Sequence, residues 1–154
     1  PLYTNNNLVD LIKSNIDLLK KTDESIDLSL IHTPKKDLNI NCDYEQISRA
    51  IFNLIKNSIE SIQEKVAKLG NFDKKIIIEI RRIKHYITIN IFDNGIGFTN
   101  KIKKEIIKPY YTTKKKGSGL GLSIVNKIIN DHDGDIEFNS DLIGTNIKIN
   151  LPLK

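Results

Sequence analysis

The longest periodic pattern in the chain begins at Asp43 and constrains everything around it. Ile47, Ala50, Ile51, Leu54, Ile55, Ser58, Ile59 and Ile62 recur at spacings of three and four and form one stripe. The pattern predicts a long amphipathic helix, with Asp43 as N-cap, Gln46 three residues on, and Gly70-Asn71 as the stop. A stripe that broad needs a sheet to cover it. Two alternating runs, Lys75 to Arg82 and Tyr86 to Phe92, are joined closely enough by Ile83-Lys84-His85 to form a hairpin. Asp135 to Phe138 and Asn146 to Leu151, separated by Leu142-Ile143-Gly144, form a second pair of strands.

Two further helices are expected. One carries Leu8, Leu11, Ile12, Ile16 and Leu19 behind an Asn-rich start that can cap it, and the other runs from Leu120 to Ile129 behind a cluster of glycines. Ile26 to Ile31 and Leu38 to Asn41, on either side of Pro34-Lys35-Lys36, read as two short strands joined by a turn. The sum is an α+β two-layer sandwich, residues 1–154 forming one domain, with about three helices on one face of a mixed, mostly antiparallel sheet. No internal repeat or linker interrupts it.

The 154 residues are 39% hydrophobic and 28% charged, enough to bury a core and unlike a disordered chain. No apolar run is long enough to span a bilayer; the longest, Lys75 to Ile80, is interrupted by Glu79. Cys42 is the only cysteine, which excludes an internal disulfide and a CxxC zinc site and fits a reducing, cytoplasmic setting. The chain starts at Pro1 without a signal peptide, so it reads as a fragment whose parent carries any inner-membrane anchor elsewhere. A net charge of +5 fits nucleic acid, an anionic membrane surface or phosphate ligands, and equally a Lys-rich solvated surface.

Four clusters carry chemistry. Asn53 and Asn57 lie one helical turn apart, on the side away from the isoleucine stripe with Gln46 and Glu60. Asparagine is a mediocre helix former, so the pair is either simply solvated or supplies an amide oxygen to Mg²⁺, which keeps phosphate and water ligands. Asp93-Asn94-Gly95-Ile96-Gly97 closes a strand. It is either a hairpin turn or a carboxylate that accepts from an exocyclic amino group, with glycines admitting a flat base. Pro109-Tyr110-Tyr111-Thr112-Thr113-Lys114 sits in a lysine-rich stretch of poor periodicity, the kind of loop that is functional or mobile. Gly117-Ser118-Gly119-Leu120-Gly121-Leu122 opens a helix, either as a flexible loop or as backbone N–H groups that hold phosphate. It lacks the third glycine of the dinucleotide fingerprint and the lysine of a P-loop. Asp131-His132-Asp133-Gly134-Asp135 departs from a calcium loop and reads as a helix stop and turn.

In order and spacing these clusters, with Gly144-Thr145 as a fifth, resemble the N, G1, F, G2 and G3 boxes of the catalytic ATP-binding domain of bacterial sensor histidine kinases. The form of the F and G2 boxes looks most like the nitrogen-regulation subset. The resemblance implies the Bergerat ATP-binding fold, with ATP between the long helix and a lid over residues 99–116. It assigns Asn57 to Mg²⁺, Asn53 to the phosphate–metal site, Asp93 to the adenine amino group, and Gly95 and Gly97 to the adenine pocket. It gives the phosphates to Gly117, Gly119 and Gly121 with their neighbours Leu120 and Leu122, puts Thr112 and Thr113 in the lid, and sets Thr145 near the base. Lys56 and Lys114 are candidate phosphate contacts, or solvated surface lysines. Two departures from the pattern stand out. Tyr110 and Tyr111 replace the commoner phenylalanine, and Ser58 replaces alanine, a small-for-small change expected to matter little.

Hydrolysing relatives on this fold, the gyrase, Hsp90 and MutL ATPases, carry glutamate where this chain has Asn53, and a neutral amide cannot act as general base. The resemblance therefore implies ATP held for transfer to a histidine on a separate dimerisation domain, with a response regulator as indirect partner and a homodimer as the full-length state. The histidines at positions 32, 85 and 132 lack the acceptor motif, so the acceptor, its neighbouring acid and the dimer interface are expected outside this chain, and the chain alone is expected to be monomeric. A degenerate nucleotide-binding or docking module is the alternative. A nucleic-acid-binding domain comes third.

Overall fold

The computed structural model describes residues 1–97, 120–141 and 143–153. Among these the chain runs β1 (Tyr3–Asn7), α1 (Leu8–Leu19), β2 (Asp27–His32), β3 (Asn39–Asp43), α2 (Tyr44–Leu69), β4 (Lys75–Ile83), β5 (Tyr86–Asp93), α3 (Leu120–Asp131), β6 (Asp135–Ser140) and β7 (Thr145–Pro152). The order in the main sheet is β2-β4-β5-β7-β6; β2 pairs with β4 in parallel and every other pair is antiparallel.

The sheet is built on period-two isoleucine. Ile76, Ile78 and Ile80 of β4, Ile87, Ile89 and Ile91 of β5, and Ile147, Ile149 and Leu151 of β7 are all buried, and register sets them side by side in rows. The opposite face carries polar pairs such as Thr88 Oγ1 donating to Asn150 Oδ1 at 2.9 Å, and the Glu79–Arg81 ion pair at 2.8 Å. A two-residue turn, Lys84-His85, joins β4 to β5, with Lys84 at φ 55°.

The three helices described lie on the isoleucine face. Asn7 caps α1, its Oδ1 accepting from Val9 N and Asp10 N. Asp43 caps α2 by accepting from Gln46 N at 3.1 Å, and Gly70 at φ 87° ends it, as the sequence predicts. α2 is central, over β5; α1 packs on it and reaches β2, and α3 packs on it and reaches β6. Asn15 of α1 donates to Ser48 of α2 at 3.1 Å.

The expected turn between Ile26–Ile31 and Leu38–Asn41 is not a hairpin. β2 joins β4 in the main sheet, whereas β3 pairs with β1 in a separate two-stranded ribbon. β1 itself lies in the stretch read as a helix cap. Its Tyr-Thr-Asn-Asn-Asn sequence has weak strand preference and an exposed edge, so the pairing with β3 creates the strand. No helix among the described residues is long and apolar enough to cross a membrane.

Candidate functional site

The apolar stripe of β5 ends on a carboxylate. After Ile87, Ile89 and Ile91 the next residue on the helix-facing side is Asp93, which is 2% exposed. Directly opposite it in β7 is Thr145, also buried, and beyond that in β6 is Ser140, whose Oγ lies 3.4 Å from Thr145 Oγ1. The row across this end of the sheet thus runs Leu28, Ile76, Asp93, Thr145, Ser140, turning from apolar to polar midway. A charged group ending a buried row is costly unless hydrogen-bonded, and Asp93 Oδ1 accepts from Gly95 N at 2.9 Å.

The residues after Asp93 do not form a hairpin turn. Asn94 ties the loop to the start of β4, its Oδ1 accepting from Lys75 N at 2.9 Å and its Nδ2 donating to Asp73 O at 2.6 Å. Lys65 Nζ donates to Asn94 O at 3.0 Å and lies 4.5 Å from the centre of the Phe72 ring. Ile96 N donates to Ser61 O at 3.2 Å, and Ser61 Oγ donates to Ile96 O at 3.1 Å. These contacts press the loop onto α2, and the glycines permit it. A Cβ at Gly95 would stand 2.5 Å from Ser61 Oγ and 2.7 Å from Ile62 N. One at Gly97 would run into Asp141 O, and one at Gly144 into Asp93 O. Gly95 and Gly97 therefore meet a demand of the fold at the points where a side chain would otherwise stand. The role of Asn94 was missed in the sequence, where Asn-Gly signalled only a turn.

On α2, Asn53 and Asn57 are half-buried and Lys56 is exposed, so the two amides do not lie on a fully solvated face. Ser58 is in the middle of the buried stripe, flanked by Leu54, Ile55, Ile59 and Ile62. It is 2% exposed, and its Oγ has no hydrogen-bond partner among the described residues.

α3 is fixed at its far end. His132, which follows it, is buried, with Nε2 accepting from Asp43 N at 3.0 Å and Nδ1 2.8 Å from the carbonyl oxygen of Ile128. A donor on one nitrogen and an acceptor on the other require the Nδ1–H tautomer. The Tyr3 ring lies 5.1 Å away, tilted, and its OH donates to Asp131 O at 2.9 Å. Asp43 accepts from Leu2 N at 2.7 Å as well as from Gln46 N; the two donors, Leu2 first, hold its carboxyl below the usual aspartate range. The C-terminal end of α3 thus meets the N-terminal end of α2, and the two helices pack antiparallel. Twelve residues of helix span about 18 Å. Laid antiparallel along α2, that length reaches from the cap at Asp43 as far as the turn that carries Asn53 and Asn57.

Among the predicted site residues, the structure thus brings Asp93 and Thr145 together on one row and Gly95 and Gly97 onto the loop beside them. It sets Asn53 and Asn57 on α2 and Leu120, Gly121 and Leu122 at the start of α3, with Leu122 half-buried against the core. Thr112, Thr113, Lys114, Gly117 and Gly119, and the lid expected over 99–116, lie outside the described residues.

Residues 42–154 match the family described as histidine kinase-, DNA gyrase B-, and HSP90-like ATPase. The chain belongs to this family. Among its relatives, sporulation kinase B of Bacillus subtilis is 39% identical over 117 residues, 75% of this chain and 26% of the relative. The nitrogen regulation protein NtrY of Azorhizobium caulinodans is 38% identical over 112 residues, 73% of this chain and 14% of the relative. This ATPase-family chain therefore spans about a quarter or less of those curated kinases. Among solved structures, the nucleotide-free catalytic domain of histidine kinase ThkA superposes with a TM-score of 0.86 at 28% identity, over 99% of this chain and 96% of that one. ThkA in complex with response regulator protein TrrA matches with a TM-score of 0.81 at 26% identity, over 99% of this chain and 42% of that one. By sequence and by fold the chain is a catalytic domain of the histidine kinase type, and the Bergerat fold implied by the five boxes is the one it has.

Proposed function

We propose that this domain holds ATP and Mg²⁺ for transfer of the γ-phosphoryl group to a histidine carried elsewhere in a full-length sensor kinase. The observation that carries the reading is Asp93, a buried carboxylate ending an otherwise isoleucine stripe, opposite Thr145 and at the mouth between α2 and the sheet. Such a carboxylate accepts from the exocyclic amino group of adenine. At the other end, the first N–H groups of α3 and the Asn53–Asn57 turn of α2 receive the phosphates.

The residues fit a magnesium ion of the expected kind. Asn57, with Asn53 one turn before it, offers neutral amide oxygens from half-buried positions on α2. That set suits an ion that takes one or two protein oxygens and otherwise phosphate and water. When bound, Mg²⁺ neutralises charge on the phosphates. Asn53, standing where hydrolysing relatives have glutamate, orients without abstracting a proton, so water is not activated. The chain's contribution is positioning of the phosphoryl group.

His132 is unsuited to accept it, being buried with both ring nitrogens engaged. The acceptor, a dimerisation domain, membrane anchoring of the parent, and a response regulator of the sort solved with ThkA belong to the same proposal. No observation favours the docking module or a nucleic-acid partner. Calorimetric titration with a non-hydrolysable ATP analogue, with and without Mg²⁺, tests the site. Asp93→Asn is expected to abolish binding and Asn57→Ala to weaken its Mg²⁺ dependence; folded wild-type protein that binds no nucleotide would overturn the reading.

A further inference from the structure

Asn94-Gly95 is the one Asn-Gly pair in the chain. It carries a reaction of its own, because glycine has no side chain to keep its nitrogen away from the neighbouring amide. Gly95 N can attack Cγ of Asn94 and lose its proton to solvent; the Cγ–Nδ2 bond then breaks, ammonia leaves, and a succinimide ring closes in the main chain. Water opens the ring at either carbonyl, leaving an aspartyl or an isoaspartyl residue at position 94. The balance is one amide and one water to one acid and one ammonia, with no oxidant, metal or enzyme needed.

The folded loop engages nucleophile, leaving group and carbonyl alike. Gly95 N, the nucleophile, donates to Asp93 Oδ1 at 2.9 Å, and a proton that faces a carboxylate is harder to remove. Nδ2 of Asn94, the leaving nitrogen, donates to Asp73 O at 2.6 Å. Oδ1 accepts from Lys75 N at 2.9 Å; that bond would equally steady an oxyanion on Oδ1, so it offers no protection. The other two do, since a succinimide has neither a Gly95 N–H nor an Nδ2 and loses both bonds by whatever path it forms. The main chain is tied down as well: Asn94 N donates to Lys75 O at 3.2 Å, Lys65 Nζ to Asn94 O at 3.0 Å, and Ile96 N to Ser61 O at 3.2 Å.

We infer that Asn94 is a fold-guarded deamidation site: the native loop holds the amide intact, and a chain that opens there converts and cannot rebuild the loop. An aspartyl side chain has no proton for Asp73 O, and two acceptors would face each other where a 2.6 Å bond now stands. An isoaspartyl linkage inserts an extra methylene into the main chain next to Gly95, where a single added methyl would already stand 2.5 Å from Ser61 Oγ and 2.7 Å from Ile62 N. Because Asp93 and Gly95 flank the position, the candidate site is lost with the loop. Time spent open at this loop is thereby written into the covalent structure.

The test compares conversion at neutral pH and one temperature in folded wild type and in wild type unfolded in urea, read by peptide mass mapping of position 94. Folded protein is expected to convert roughly 10-fold or more slowly, the rate in urea being scaled by the fraction of time the loop is open. Lys65→Met, which leaves Asn94 and Gly95 in place, is expected to convert several-fold faster than wild type when folded and equally fast in urea. Asn94→Asp is expected to melt lower than wild type. Equal rates folded and unfolded would overturn the guard, an amide that persists in urea would overturn the site, and Asn94→Asp that melts like wild type would overturn the consequence. Lys65→Met that converts like folded wild type would overturn the loop as the place of opening. None of these readouts involves a nucleotide, so they stand or fall apart from the function proposed above.

Discussion

Replacing Gly95 by alanine separates what the fold needs from what a ligand needs. The added methyl would stand 2.7 Å from Ile62 N and from Ser61 C, both backbone atoms of α2, and 2.5 Å from Ser61 Oγ. Carbon contacts settle near 3.5–4.0 Å, so the loop must retreat by about 1 Å. Overpacking of this kind costs about 1–3 kcal/mol. The retreat also strains the two hydrogen bonds between Ser61 and Ile96, each contributing about 1 kcal/mol net. The sum is about 2–4 kcal/mol, which for a domain of this size lowers the melting temperature by roughly 5–15 °C. Differential scanning fluorimetry without nucleotide reads it directly. Ser61→Ala, which loses one hydroxyl bond and no space, should lose about a quarter to a half as much. A Gly95→Ala domain that melts like wild type but no longer binds ATP would refute the argument, because the glycine would then be there only for the base.

Two other substitutions probe the far end of α2. The Asp43 carboxyl is held below its usual range by Leu2 N and then Gln46 N, so its stabilising effect is full above the unfolded value of about 3.9 and fades as pH falls through the lower folded value. Urea unfolding of wild type and Asp43→Asn should therefore differ most near neutrality and converge in acid below about pH 4; a difference independent of pH would contradict this. His132→Phe leaves Asp43 N and Ile128 O without their ring partner and should cost about 2 kcal/mol in the same assay. In a full-length kinase the same variant should retain a reduced phosphohistidine signal, and complete loss in folded protein would argue against an acceptor elsewhere.

The parts of this fold legible in the sequence are those in which one side chain reports its own environment. Ile47 to Ile62 names a helix face, Ile76-Ile78-Ile80 names a strand face, and Asn7 and Asp43 name the caps. Partnership is another matter. Alternation at Leu28 and Leu30 says that a strand is half-buried and nothing about whether it pairs with Ile40 or, in parallel, with Ile76 and Ile78, which it does. β1 was invisible because its asparagines have no strand preference of their own. Within the candidate site, the boxes singled out Asp93 and Thr145, and register sets these two opposite each other. They did not disclose that Asn94 holds the loop to β4 or that Gly95 is pressed against α2, since both depend on atoms more than fifteen residues distant in the chain.

The placing of the phosphate end depends on a contact far from it. In the function proposed above, the sheet meets the base through Asp93 and Thr145 and the start of α3 meets the phosphates, and nothing in the sheet register fixes one relative to the other. α3 is a rod of about 18 Å, packed on α2 and β6 through Val125, Ile128 and Ile129 and joined at its end by His132 to the cap of α2. A tilt of about 10° about that attachment would move Leu120 by about 3 Å, and a displacement of about 1 Å at a reacting group can cost about 100-fold in rate. The attachment must therefore resist rotation as well as separation. A single hydrogen bond would act as a pivot. His132 locks its ring to α3 itself through Nδ1 and Ile128 O and reaches the α2 cap through Nε2, while the Tyr3 ring lies against it and the Tyr3 hydroxyl donates to Asp131 O. The Asp43 bond, the Tyr3 ring and the Tyr3 hydroxyl thus give the end of α3 three contacts with other elements, and a ring that is itself bonded to the helix carries them to it, at a position the catalytic chemistry does not use.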